Sequence, residues 1–236
     1  MVRLNLGLLG LAGSAAALPL VLNETIAATQ AAAVTCVSGL YMIAARGSTQ
    51  DPGEGSIAQV TTLVKALVPG SVSVAVDYPA TIFDDGTYPA SVTKGIKDTI
   101  SKVHEYVDTC GASSKVVLLG YSQGGNIMTD ALAGGVLKPD PLTSAYTQYI
   151  KAVTVFGDPT FTVGQSFDVG NATKSGIFSR GGSSLSKLNG FARVLRSYCM
   201  IHDTVCATGD SLSVHSAEVT TFASAAAQFI AGQALL

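Results

Sequence analysis

Five short β-rich stretches recur along the chain, and most of them are apolar almost throughout, without alternating polar residues. Continuous apolar runs of this length are typical of parallel strands that are buried on both faces of a sheet. Between them, apolar residues recur every three or four positions, which predicts amphipathic helices. The predicted strands cover residues 40–45, 72–77, 115–120, 151–156 and 192–198, and the predicted helices cover 55–68, 89–109, 126–132 and 216–232.

Strands that alternate with helices predict an α/β fold, here a three-layer α/β/α sandwich with right-handed crossovers. We expect a five-stranded, mainly parallel, doubly wound sheet in the order 2-1-3-4-5. Residues 161–190 interrupt the alternation because they are rich in Gly, Ser and Asn. A segment of this length either walls a substrate cleft or is a surface excursion without a role. No large lid is expected.

Composition narrows the class of protein. A chain of 236 residues suits one domain, and 47% hydrophobic with 13% charged residues suits a compact, core-rich fold. Lys and Arg are scattered without a basic run, so nucleic acid is not a predicted partner. We expect a monomer.

The N-terminus has the pattern of a secretory signal peptide. One arginine precedes an apolar run over residues 4–12, and Ala15 and Ala17 form an A-x-A arrangement before the predicted cleavage position. The run is too short to span a bilayer, so no membrane anchor is predicted and the product is expected to be extracellular. The chain is thus divided into a signal peptide over residues 1–17, a flexible or pro-like lead-in over 18–34 and a folded domain over 35–236.

Secretion predicts that the four cysteines form disulfides, because an oxidising compartment favours disulfides over thiolate metal ligands. Cys199 and Cys206 are close enough in sequence to close a small loop. Cys36 and Cys110 precede the first and third predicted strands by similar margins, so they meet if those strands are neighbours. No metal or organic cofactor is predicted, because no ligand cluster has suitable spacing. Two sequons mark possible N-glycosylation sites, at Asn23 and Asn171.

A G-x-S-x-G pentapeptide over residues 120–124 follows the third predicted strand and precedes a predicted helix. Glycines on both sides of the serine allow a sharp strand-to-helix turn that exposes the hydroxyl group. The alternative, an ordinary turn, is less consistent with this strand-and-helix context. We therefore predict that Ser122 is a nucleophile, which requires a base and an acid that orients the base.

Three histidines are available as the base. His104 lies before the serine on a predicted helix, against the Ser, acid, His chain order of α/β hydrolases, and is interpreted as a helix-face residue. Asp203 lies between two cysteines, and His215 follows twelve residues later, before the last predicted helix. Ser122, Asp203 and His215 thus form the predicted catalytic set.

A competing assignment makes His202 the base, with Asp158 or Asp210 as its acid. It is less favoured because a base needs room to move between the serine and the leaving group, and His202 is adjacent to Asp203. Asp158 and Asp210 are otherwise interpreted as turn residues.

Acyl transfer also needs donors for the developing oxyanion. The Gln123 amide directly follows the nucleophile at a helix N-terminus, and Ser48 follows the first predicted strand. Ser48, Ser122 and Asp203 each follow a strand, so all three are expected at the carboxyl edge of the sheet, where open α/β sheets hold their sites. A loop-capping role is the alternative for Ser48.

Taken together, these motifs resemble the fungal cutinase and acetylxylan esterase family of small secreted serine esterases. The resemblance is carried by A-R-G-S-T at 45–49, G-Y-S-Q-G-G at 120–125, C-x-x-x-D-x-x-C at 199–206 and His215. It implies a cutinase-like α/β hydrolase domain without a large lid. The implied residue roles are Ser122 as nucleophile, Asp203 as acid, His215 as base, Ser48 and Gln123 at the oxyanion, and the bridges Cys36–Cys110 and Cys199–Cys206.

Within this family the sequence signals divide. A-R-G-S-T is similar to the cutinase branch, whereas residues 78–80, 156–159 and 197–199 are similar to the acetylxylan esterase branch. The expected function is hydrolysis of plant cell-wall esters through an acyl-enzyme, with acetylated xylan or similar short acyl esters favoured over a cutin-type hydroxy-fatty acid polyester. A catalytically silent wall-binding or effector protein on the same scaffold is the alternative from another class.

Overall fold

The computed structural model describes residues 34–82 and 86–236. The predicted signal peptide, residues 18–33 of the lead-in and the sequon at Asn23 lie outside these residues. Within the described part, no helix combines the length and the apolar character needed to cross a membrane.

Strands and helices alternate along most of the described chain. The strands are β1 (Tyr41–Ala45), β2 (Val72–Ala75), β3 (Val116–Tyr121), β4 (Ile150–Phe156), β5 (Asp168–Gly170) and β6 (Leu195–Cys199). The α-helices are α1 (Ala58–Leu67), α2 (Tyr88–Cys110), α3 (Gln123–Ala133), α4 (Ser144–Thr147), α5 (Gly182–Asn189) and α6 (Leu212–Ala234).

All six strands form one sheet in the order β2-β1-β3-β4-β6-β5, and every neighbouring pair is parallel. The five predicted strands are confirmed as β1 to β4 and β6, in the expected order. The sixth strand, β5, differs from the prediction of five, because it forms inside the segment 161–190 and pairs with the edge of β6. Its three residues are at most partly buried, so no hydrophobic run marks it in the sequence.

Hydrophobic cores lie on both faces of the sheet. On β3, Val116 and Leu118 pack with α2 and α3, whereas Val117 and Leu119 pack with α1 and α6. Successive strand residues point to opposite faces, so covering both faces buries every position of the strand. This three-layer arrangement explains why the strand sequences are apolar without alternation.

Two disulfides are present, with the expected pairings. Cys36–Cys110 joins the segment before β1 to the last residue of α2, across a sequence separation of 74. Closing a loop of that length stabilises the fold by about 4–5 kcal/mol in the chain-entropy model. Cys199–Cys206 closes a small ring directly after β6, and its shorter loop contributes about 2–3 kcal/mol.

The segment 161–190 is attached to the rest of the domain at both of its halves. Its first half contains β5, which is followed at once by the exposed Asn171. In its second half, residues 176–180 bond back to residues 159–161 through three backbone hydrogen bonds of 2.8–3.0 Å, and α5 follows. The segment is therefore an ordered part of the domain.

Candidate active site

Ser122 is the residue that joins β3 to α3, and it has an uncommon backbone conformation. Its φ is +55° and its ψ is −118°, a region that residues with a side chain rarely adopt. Two backbone hydrogen bonds of 2.8 Å hold it there, one donated to the Phe156 carbonyl and one accepted from the Gly125 N–H. The tight turn leaves the serine partly exposed at the carboxyl edge of the sheet.

The two glycines of the pentapeptide are required by the close approach of backbone atoms. A Cβ atom on Gly120 would lie 2.2 Å from the Gly124 carbonyl oxygen, and one on Gly124 would lie 2.1 Å from the Ala45 carbonyl oxygen. Any side chain at either position would force β3, α3 and the end of β1 apart. The sequence pattern G-x-S-x-G is thus a packing requirement of this turn.

Ser122, His215 and Asp203 form a continuous chain of hydrogen bonds. The Ser122 Oγ lies 2.9 Å from His215 Nε2, and His215 Nδ1 lies 2.8 Å from Asp203 Oδ2. Asp203 is completely buried and His215 nearly so, whereas Ser122 faces a cleft. The geometry suits transfer of the serine proton to the histidine.

The ring closed by Cys199–Cys206 supplies donors to the buried aspartate. Asp203 Oδ1 accepts the backbone N–H groups of Val205 and Cys206 at 2.6 and 2.9 Å. Burial opposes ionisation of this carboxyl, but the hydrogen bond and charge of His215, together with the two amides, outweigh it and lower the pKa of Asp203. An ionised Asp203 can keep the His215 ring oriented through their hydrogen bond.

His215 lies in the first turn of α6, not before the last helix as the sequence predicted. The helix begins four residues earlier than expected because the Ser211 hydroxyl caps it by accepting the Val214 N–H. The imidazole stacks on the Tyr121 ring, with centroids 5.1 Å apart, and the Tyr121 hydroxyl donates to the His215 carbonyl at 3.2 Å. Burial raises the pKa of Tyr121 to about 12, so this donor stays neutral.

The competing base and the first histidine lie elsewhere. His202 Nδ1 is 3.0 Å from Asp210 Oδ1, but the two side chains are 60% and 82% exposed and neither lines the cleft that contains Ser122. His104 stacks on Tyr146 on the surface of α2, as a helix-face residue would.

Asp158, the other proposed acid, belongs to a buried polar network beneath the cleft wall. Its carboxylate accepts hydrogen bonds from Thr129 and Thr160, and burial raises its pKa although these donors and the Arg180 charge oppose the shift. Arg180 also forms a buried ion pair with Asp130 at 2.7 Å. The network fixes the segment 161–190 against α3.

The residues predicted for the oxyanion lie around the same cleft. Ser48 lines it together with Ser122 and His215. The loop that carries Ser48 is held by the buried Arg46, whose Nη2 and Nε donate to the carbonyls of Tyr78 and Gln50 at 2.6 and 2.8 Å. Arg46 is part of A-R-G-S-T, but no role was predicted for its side chain.

Gln123 provides the first amide of α3, and its own side chain is fully buried. The side-chain Oε1 accepts from the Ser91 hydroxyl at 2.9 Å, and Nε2 donates to the Thr81 carbonyl at 2.8 Å. These bonds join the turn at Ser122 to α2 and to the segment before α2.

Two cavities adjoin at this edge of the sheet. The first, of about 330 Å³, contains Ser122 and His215 and has apolar walls. The second, of about 790 Å³, lies between α2, the end of α3 and the residues before α5. Tyr88 and Phe178 line both cavities, with ring centroids 5.7 Å apart. The apolar lining of the first cavity includes Ile82, Pro159, Ile177, Phe178, Val205 and Leu212.

One group of side chains has the spacing of a metal site among the described residues. It comprises Cys199, Cys206 and Glu218, whose potential ligand atoms lie within 4.8 Å of one another. The disulfide removes both sulfurs as thiolate ligands. The group therefore offers one carboxylate and does not fit a metal ion.

A parallel α/β sheet that presents a serine from a G-x-S-x-G turn to a buried His–Asp pair defines the class of α/β serine ester hydrolases. Comparison with known proteins agrees with this class. The chain belongs to the cutinase family, whose model matches residues 36–234. The family predicted from the sequence is thereby confirmed, and the protein is a carboxylic ester hydrolase.

Individual relatives carry the names of both branches. Acetylxylan esterase 2 of Talaromyces purpureogenus is 34% identical over 206 residues, covering 81% of this chain and 85% of that protein. Cutinase 11 of Verticillium dahliae is 30% identical over 202 residues, covering 81% and 67%. The catalytic core domain of acetyl xylan esterase from Trichoderma reesei superposes with a TM-score of 0.74 at 30% identity, covering 84% of this chain and all of that one.

Gly157 is a site residue that sequence reasoning missed. It follows β4 with a φ of +59°, and a Cβ atom there would lie 2.7 and 2.8 Å from His215 Cε1 and Nδ1. The glycine makes room for the imidazole beside Asp203. Its position after a strand, at the same edge as Ser122, was the available signal.

We expect Gly157→Ala to lower kcat/KM by at least about tenfold, which corresponds to about 1.4 kcal/mol of lost transition-state stabilisation. The added methyl group would push the imidazole away from Asp203 Oδ2. Gly164→Ala is the matched control, because Gly164 also has positive φ (+93°) but has nothing within 4 Å of the added atom. Steady-state kinetics and thermal unfolding of both variants provide the measurement. Equal activity of the two folded variants would contradict the role of Gly157.

Proposed function

We propose that this protein is a secreted esterase that works through an acyl-enzyme. Ser122 Oγ attacks the ester carbonyl while His215 Nε2 takes its proton, and the histidine then gives that proton to the departing alcohol. Water, deprotonated by His215, attacks the acyl group and releases the acid, and the serine recovers its proton. Asp203 orients the imidazole and stabilises its charged form. The observation that supports this assignment is the hydrogen-bonded chain of the three side chains.

The oxyanion formed in each step is stabilised, in this proposal, by the Gln123 amide and by Ser48. The Gln123 N–H lies at the N-terminus of α3, where the helix dipole also favours negative charge. Ser48 faces the cleft from a loop that Arg46 fixes. A donor fixed before the reaction lowers the barrier more than one that must reorganise.

The proposed substrates are short acyl esters on a polymer, with acetyl groups on xylan favoured. Relatives named acetylxylan esterase support this choice. The cleft of about 330 Å³ is small, and Ser122 stays partly exposed in it. Residues Ile177 and Phe178 of the segment 161–190 line the cleft, and the partial exposure of Ser122 favours access for a bulky alcohol component.

A second candidate is hydrolysis of longer acyl esters of the cutin type. The larger cavity of about 790 Å³ favours it, because this cavity adjoins the cleft at Tyr88 and Phe178. Val136 and Leu137 stand on its rim and are 89% and 97% exposed. Exposed apolar residues beside a cavity favour an apolar ligand. An acyl chain longer than the cleft would continue along this surface.

Secretion and glycosylation belong to the same proposal. Two disulfides in a domain of this size suit an oxidising compartment. Asn171 is exposed directly after β5, where a glycosyltransferase has access, and Asn23 is the second acceptor proposed.

Ser122→Ala is expected to lower ester hydrolysis by at least about 10³-fold, because no other group replaces the nucleophile. A serine-directed phosphonate should label the wild-type protein and leave Ser122→Ala unlabelled, as read by mass spectrometry. Ser48→Ala serves as the control, since it should still be labelled while kcat falls by about 10²- to 10³-fold. A wild-type protein that resists labelling would favour the catalytically silent alternative.

Acyl-chain length separates the two candidate substrates. We expect p-nitrophenyl acetate to be hydrolysed faster than longer esters, and acetate to be released from acetylated xylan. A preference for long chains without acetate release would reject the first candidate in favour of the second. If long chains are preferred, Leu137→Asn should lower kcat/KM by about three- to tenfold for the longest esters alone. Asparagine is chosen because it tolerates the φ of +54° at this position. Leu67→Asn, exposed on α1 outside both cavities, is the control.

Expression in a eukaryotic host tests the secretion proposal. Protein recovered from the medium should begin after Ala17 and carry a glycan at Asn171, as shown by its intact mass and by peptide mapping. Thr173→Ala should remove this glycan while keeping the hydrogen bond that Asn171 Oδ1 accepts from the Ile201 N–H at 2.8 Å. Retention in the cell with Met1 intact would contradict the proposal.

A further inference from the structure

A second carboxyl group is buried directly behind the catalytic aspartate. Glu218 lies on α6, three residues after His215, and has no exposed surface. Its Oε1 accepts the Met200 N–H at 2.6 Å and lies 3.7 Å from Cys206 Sγ. The side chain therefore connects the helix that carries the base to the ring that carries the acid.

The other oxygen of Glu218 has no donor to bond with if the carboxyl is ionised. Oε2 is buried without a hydrogen-bond donor among the described residues. Asp203 is held by the same ring, because Glu218 Oε1 lies 3.7 Å from Cys206 Sγ and the Cys206 N–H donates to Asp203 Oδ1 at 2.9 Å. Two neighbouring carboxyl groups can form a hydrogen bond with each other only when one of them carries a proton.

The groups around Glu218 decide which carboxyl holds that proton. Asp203 faces it from the disulfide ring, Tyr121 from β3, and His215 precedes it by one turn on α6. His215 and two amides already stabilise the negative charge of Asp203, and no Lys or Arg of the described residues forms an ion pair with Glu218. Burial, and after it the neighbouring Asp203 carboxyl group, raises the pKa of Glu218 to about 9.

We propose that Glu218 is a positioning residue that acts in its neutral form, donating a hydrogen bond from Oε2 to the Asp203 carboxylate while Oε1 accepts the Met200 N–H. This arrangement fixes the acid relative to the base-bearing helix and gives Asp203 a further donor. The inference rests on the proposed role of Asp203 as the acid, but the protonation state of Glu218 is testable without it.

Two variants separate the neutral donor from a merely space-filling side chain. Glu218→Gln keeps both functions, since its amide donates to Asp203 and its carbonyl accepts from Met200. Glu218→Leu fills a similar volume and removes both. At pH 7 we expect Glu218→Leu to lose about 10- to 100-fold in kcat/KM and Glu218→Gln to retain most of the wild-type value. A folded Glu218→Gln enzyme as impaired as Glu218→Leu would overturn the proposal.

The pH profile gives a readout that packing alone would not move. In the wild-type enzyme, Glu218 loses its proton near pH 9 and then places a second negative charge beside Asp203. Activity should therefore fall above this pH in the wild type. Glu218→Gln has no proton to lose at this position, so this alkaline fall should be absent. An identical alkaline limb in both proteins would count against a neutral Glu218.

Stability against pH tests the proton independently of catalysis. The folded Glu218 keeps a proton that the unfolded chain releases near pH 4.5, so its contribution to stability is present below that pH and is lost as the pH rises to about 9. Relative to the wild type, the folding equilibrium constant of Glu218→Gln should rise by about tenfold per pH unit across this window. Denaturant unfolding from pH 5 to 9 provides the measurement. A ratio that does not change with pH would overturn the proposal even if Glu218→Leu fails to fold.

Asp203→Asn distinguishes failure of this inference from failure of the proposed function. Full activity of Asp203→Asn would remove Asp203 as the acid and with it the catalytic consequence of Glu218. The pH dependence of the stability of the Glu218→Gln variant would then still decide whether Glu218 carries its proton.

Discussion

Asp203 carries a negative charge with no contact to water, and the surrounding residues supply the hydrogen-bond donors that make this charge tolerable. An ionised carboxyl in an apolar interior is unstable by several kcal/mol unless donors replace its hydration. Two amides of the disulfide ring and the imidazole of His215 provide them. The ring after β6 and the cap of α6 are therefore parts of one arrangement, since both place donors around a single carboxylate.

Through His215, the Asp203 carboxylate is linked to Ser122 and to the carboxyl edge of the sheet. His215 reaches Ser122 only because Gly157 leaves space for its ring and Tyr121 packs against it. Ser122 in turn keeps its unusual backbone conformation only because glycines allow three backbone segments to meet. The positions of Ser122 and His215 therefore depend on how the strands and helices pack at this edge of the sheet.

Much of this architecture was predictable from local patterns. The apolar runs located five strands, because burial on both faces leaves a signal in every residue of a strand, and the alternation of strands with helices predicted their order. The edge strand β5 left none, since three half-exposed residues need no apolar side chains. The predicted start of α6 was four residues too late, because the helix begins where the Ser211 hydroxyl caps it.

Chain order and motif spacing were enough to nominate Ser122, Asp203 and His215, which lie within hydrogen-bonding distance of one another in sequence along the chain of contacts. Gly157, Arg46 and Glu218 were missed for a different reason. Their roles depend on neighbours far away in sequence, such as the imidazole that passes over Gly157, and no spacing rule describes those contacts. A lone carboxylate in the alanine-rich α6 was the one available sign of Glu218.

The anchoring of the segment 161–190 has an evolutionary consequence. Its backbone is fixed by pairing with β6 and by the buried Arg180–Asp130 pair, while the Ile177 side chain faces the cleft. Substitution of Ile177 would reshape the cavity while these bonds keep the backbone of the wall in place. On such a scaffold the reaction can be kept while the cavity changes to accept a different ester. This agrees with a family whose members bear both cutinase and acetylxylan esterase names.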